Sequence, residues 1–117
     1  MRKIIRVSNG QGFWGDSIDA PYNLVKYGEI DYLTLDYLAE VTLSIMQRQK
    51  IKNPEKGYAT DFIDLMGRIM NDIKEKNIKV ITNAGGVNPE VCKTKILKLA
   101  KNLNIDIKIS IIKGDDI

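Results

Sequence analysis

Short β-rich runs alternate with segments of helical period along this chain, and that alternation restricts the fold more than any other feature. Lys3 to Val7 runs into Ser8-Asn9-Gly10-Gln11-Gly12, a composition that turns. Asp31-Tyr32-Leu33-Thr34-Leu35 reads as a second strand, Lys79-Val80-Ile81-Thr82 as a third and Ile107 to Ile112 as a fourth. The first intervening helix is expected from Asp16 or Ser17 to Tyr27, stopped at Gly28. A second is capped by Asp36 and carries Leu38, Val41 and Ile45 inward to about Gln49. The clearest runs from Ala59 to Lys76, with Phe62, Leu65, Met66, Ile69, Met70 and Ile73 lining one face. Asn88 as N-cap and Pro89 at the first helical position start the last, which reaches Leu103 on Cys92, Ile96 and Leu99.

This order predicts one α/β domain over residues 1–117: a three-layer sandwich with a short four-stranded, mainly parallel sheet and helices on both faces. Right-handed crossovers then predict the strand order 2-1-3-4. That order sets the loops Gly12 to Asp16 and Asn83 to Asn88 side by side at one end of the sheet. A bound anion is expected within hydrogen-bonding reach of the second loop.

Composition removes several chemistries. The chain has no histidine and one cysteine among 117 residues. It therefore holds no Ser-His-Asp triad, no imidazole base, no internal disulfide and no cysteine-built metal site. Carboxylates, tyrosines and lysines are left for acid–base work, and a reducing, cytoplasmic location is the natural reading. A net charge of +3 is spread over helix faces, so nucleic acid is not an expected partner. Every apolar run is broken by Lys, Asp or Asn well short of about 18 residues, so neither is a membrane.

The unusual residues fall just after the strands. In a parallel sheet all strand C-termini share one edge, and ligands bind outside it. Gly12, Gly15, Asn83, Gly85, Gly86 and Asn88 are the candidate ligand-binding residues, since glycine loops and helix starts expose N–H groups to anions. Asp16, Asp36 and Asp115 are the candidate catalytic or cation-binding carboxylates, with Glu40 one turn beyond Asp36. Each has a plainer reading: glycines as tight turns, Asp16 and Asp36 as helix caps, Asp115 as part of a solvated tail. Trp14 closing over a core edge and Cys92 packing on an apolar helix face are likewise structural readings. Gly10, Gly12 and Gly15 match G-x-G-x-x-G, yet Phe13 and Trp14 fill its middle, and neither Asp31 nor Asp36 reads as the acid that should end the second strand.

Five ordered blocks carry a resemblance: Gly12-Phe13-Trp14-Gly15-Asp16; Asp31 to Glu40; Gly57-Tyr58-Ala59-Thr60-Asp61-Phe62; Thr82-Asn83-Ala84-Gly85-Gly86-Val87-Asn88-Pro89; and Gly114-Asp115-Asp116. Together they resemble the acyclic terpene utilisation family. The resemblance implies a context of bacterial terpenoid breakdown through acyl-CoA intermediates, with no catalytic residues or cofactor to carry over. It covers what looks like the N-terminal segment of a longer architecture, either as part of a longer protein or as one subunit of a split one. Three functions remain open: a domain binding a small anionic metabolite, acyl-CoA-like or carboxylate; a non-catalytic assembly module in a homo- or hetero-oligomer, completed by a partner chain carrying the C-terminal region; and a nucleotide-dependent oxidoreductase.

Overall fold

The protein is described by a computed structural model that covers residues 4–12 and 15–112. The elements run β1 (Val7–Gln11), α1 (Asp19–Tyr27), β2 (Tyr32–Leu35), α2 (Glu40–Lys52), α3 (Thr60–Lys76), β3 (Lys79–Thr82) and α4 (Pro89–Asn102). All three strands are parallel. Their order is β1-β2-β3, which corrects the expected 2-1-3-4 and the expected four strands. Reversal of the order would require the second crossover to turn back past β1. It continues in the direction of the first, and two crossovers of one hand running the same way lay their helices on the same face. α1 and α3 accordingly pack on each other.

α3 is the spine of the core. All six residues of its expected apolar stripe are buried, and α3 packs against both α1 and α4. Pairing of Ser8 with Leu33 and Val80, and of Gln11 with Leu35 and Thr82, turns these side chains toward the helices. A bulge between Asn9 and Gln11 buries Gly10 and Gln11 consecutively. Gly10 is needed there: a Cβ would meet Pro21 Cβ at 2.8 Å.

The opposite face presents Val7, Asn9, Tyr32, Thr34, Lys79 and Ile81, and it is open. Val7 is 61% and Ile81 57% exposed. The expected helices on both faces are thus helices on one face among the described residues, although parallel sheets are ordinarily covered on both. α2 does not supply the missing layer. Its expected inward residues Val41 and Ile45 are 72% and 42% exposed, and Met46 is the side chain it buries. The apolar positions of α2 do not gather into one stripe, and only part of the helix is packed.

Residues 105–112 alternate half-buried and exposed as a strand would, with Ile105, Ile107 and Ile109 on the core. They join no ladder. Period-two alternation records which side faces apolar contacts, and that condition is met here without inter-strand hydrogen bonds.

Candidate functional site

The three strand ends lead to one edge, and the loops there are held by specific bonds. After β1, Asp16 folds back on its own loop: Oδ2 accepts Gly12 N–H at 3.1 Å and Oδ1 accepts Ser17 N–H at 2.8 Å. Asp16 is therefore not the cap of α1, whose N-cap position is Ile18. Its carboxylate stands against the loop donors that an external anion would use. Gly15 has φ +94°, with open space around it.

After β2, Asp36 lies immediately beyond the last strand residue, and its N–H donates to Gln11 O at 3.0 Å. The ends of β1 and β2 are thus side by side. Asp36 is not the expected cap of α2 either, because that helix begins at Glu40 with Ala39 in the cap position. Its Oδ1 accepts Asn83 Nδ2 at 2.8 Å and Leu38 N–H at 3.3 Å, while Oδ2 accepts nothing from the described residues. Asn83 Oδ1 accepts Tyr37 N–H at 2.8 Å. One amide thereby locks the β2 exit to the β3 exit.

The Asn83–Asn88 loop emerges at the same edge but not beside Gly12, because β2 lies between them. Four of its N–H groups are used within the fold: Ala84 to Thr82 Oγ1, Gly86 to Asn83 O, Val87 to Gly57 O and Asn88 to Gly85 O. Asn88 occupies the N-cap position of α4 without a side-chain cap bond; its Nδ2 donates instead to Pro54 O and Lys56 O, both at 2.8 Å. Gly85 packs on Pro89, and Gly86 on Met46 and Gly57. Asp115, with Gly114 and Asp116, lies outside the described residues, as do Phe13 and Trp14.

Asp36 and Asn83 share an open cavity of about 490 Å³ with Asn9, Thr34, Leu35, Ile81 and Thr82. Among the described residues the lining holds one carboxylate and no lysine or arginine. Sequence reasoning picked out Asp36 and Asn83 and missed Asn9 and Thr34 as lining; their alternate positions on paired strands were the available signal. A second cavity, about 350 Å³, lies past α4 at Leu97, Lys101, Asn104 and Asp106, away from the strand ends. Among the described residues no cluster of three or more metal-ligating side chains occurs, and no helix is long and apolar enough to cross a membrane.

The buried titratable groups sit behind this edge. Burial foremost, then the Asp61 charge and Cys92, pushes the Tyr37 phenol well above the usual range. Burial also raises Tyr58, and it lifts the Cys92 thiol to about 11. Cys92 is thus a protonated packing group at neutral pH, as its helix face indicated. The unfolded thiol ionises near 9 and the folded one near 11, so the native state is favoured fully below pH 9 and loses that advantage between pH 9 and 11. Urea unfolding should show Cys92→Ala escaping a loss on the order of 2 kcal/mol that the parent suffers across this window. Parallel declines in parent and variant would refute it.

Residues 5–117 match the model of acyclic terpene utilisation family protein AtuA. The chain belongs to the acyclic terpene utilisation family. No curated protein and no solved structure matches it significantly. For this AtuA-family chain, the matched span includes every strand end described above.

Proposed function

We propose that this AtuA-family domain binds a small metabolite at the carboxyl edge of its sheet, with Asp36 as the polar anchor. The observation carrying this reading is the cavity that joins Asp36, Asn83, Asn9 and Thr34 at the ends of three parallel strands. Of the metabolite classes expected, acyl-CoA-like or carboxylate, the charged end lies beyond this cavity. The cavity, with a carboxylate and no cation, suits hydroxyl groups. Gly85, Gly86 and Asn88 then act by shaping the loop behind Asn83, and Asp16 as a carboxylate the ligand displaces or joins.

The open sheet face favours a second reading, an assembly module whose exposed Val7 and Ile81 meet another chain. One experiment separates the two. In amide NMR titrations with coenzyme A, acetyl-CoA and ADP, shifts should concentrate at residues 9–12, 34–36 and 82–83, and Asp36→Ala should weaken binding at least about tenfold. Shifts that follow protein concentration instead, at Val7, Tyr32 and Ile81, would favour assembly. Absence of any shift at the strand ends overturns the metabolite reading.

A further inference from the structure

The position of Asp36 says more about the ligand than that it is polar. β1 and β2 are parallel neighbours joined through α1, a glycine-bearing loop leaves β1, and Asp36 is the first residue beyond β2. The Asp36 N–H bond to Gln11 O sets the Asp36 backbone beside the start of that loop, and its carboxylate is held at the β3 exit by Asn83 Nδ2. In open α/β sheets an acid at this point accepts hydrogen bonds from the hydroxyls of a ribose. The sequence alone made this the weaker reading, because neither Asp31 nor Asp36 read as ending the second strand; the strand boundary and the β1–β2 pairing supply what it lacked.

We propose that the edge cavity takes the ribose of a ribonucleotide with free 2′ and 3′ hydroxyls, held by Asp36 Oδ2. The inference rests on the metabolite reading above and narrows it. Asp36 Oδ1 is already held by Asn83 Nδ2 and Leu38 N–H, which fixes a carboxylate that lines the cavity and leaves Oδ2 without a bond from the described residues. Two hydroxyl donors on one carboxylate form charge-assisted bonds. Asn9 and Thr34, paired on the adjacent strands, furnish amide and hydroxyl groups on the same lining. With no lysine or arginine among the described residues of that lining, a phosphate on either hydroxyl meets a like charge that none of them compensates. The 2′-phosphorylated dinucleotide and coenzyme A, which is 3′-phosphorylated, therefore bind more weakly than forms with both hydroxyls free. The phosphate side of the ligand is not part of the inference, because α1 begins at Asp19, seven residues beyond Gly12, and its N-terminus is not at the second glycine.

Calorimetric titration of the whole chain with ADP, 2′-deoxy-ADP, NAD and NADP tests this. ADP should bind at least about tenfold tighter than 2′-deoxy-ADP, and NAD at least about tenfold tighter than NADP. Both ratios should collapse toward one in Asp36→Asn. The ligand comparison on the parent chain stands even where that variant folds poorly. Equal affinity for ADP and 2′-deoxy-ADP overturns the inference. Coenzyme A shifting the strand-end amides while none of the four nucleotides binds also overturns it, and leaves the edge site intact. No binding or shift with any of these probes defeats both.

Discussion

Replacing Gly86 by alanine should cost the fold about 3–5 kcal/mol, through left-handed strain combined with overpacking. Gly86 holds φ +57°, and a Cβ there would fall on Met46 Sδ and within 2.7 Å of Gly57 O. The methionine end can move, but the carbonyl cannot easily do so. Val87 N–H donates to Gly57 O at 3.0 Å, and Ala59 N–H to Ala84 O at 2.8 Å, so the two loops are tied together on both sides of the contact. Gly15 provides the comparison: φ +94° with none of the described residues within 4 Å of a Cβ there. Gly15→Ala should therefore lose only the conformational part, about 1–2 kcal/mol. Urea unfolding of the two variants measures the difference. Equal losses would show that the Gly57 loop yields and that packing is not what demands glycine.

Leu65→Ala should be of similar size, about 2–5 kcal/mol, because the side chain is fully buried on the helix that joins the α1 and α4 layers. A cavity in the middle of α3 has packed elements on both sides, which limits how far the surroundings can collapse into it. The denaturant midpoint should fall with an unchanged slope. A loss below about 1 kcal/mol would mean that α1 or α4 closes the gap, and would refute the account of α3 as the spine.

What could be read from the residues divides along physical lines. The α3 stripe was legible because six apolar side chains at helical spacing leave one burial solution. The bounds of β3 were legible because three β-branched residues, Val80, Ile81 and Thr82, lie between Lys79 and the Asn-Ala-Gly-Gly turn. α2 was misread: Val41 and Ile45 have helical spacing, yet spacing cannot tell an inward stripe from an outward one when Met46 can do the packing. Strand order was not legible, since either direction of the second crossover satisfies the same hand. At the edge, Asp36 and Asn83 were visible as polar residues following strands. Their mutual bond was not, because it spans 47 positions and depends on β2 lying beside β3. Gly86 was read as facing a ligand; packing on a loop 29 residues earlier itself demands glycine there, a contact with no local trace in the chain.

The open face of the sheet separates two kinds of constraint that most proteins mix. Leu33 and Leu35 answer to folding, since changing them disturbs the core. Val7, Asn9, Tyr32, Thr34, Lys79 and Ile81 are on the same strands, yet they are uncoupled from the helical layer, and folding sets few limits on what stands there. Variation at these six positions is therefore limited less by stability than variation at Leu33 and Leu35, and chiefly through cross-strand contacts such as Thr34 Oγ1 to Ser8 O. Any intolerance found there beyond those contacts is a record of contact with something outside this fold, read out on alternate residues of the strands that build it.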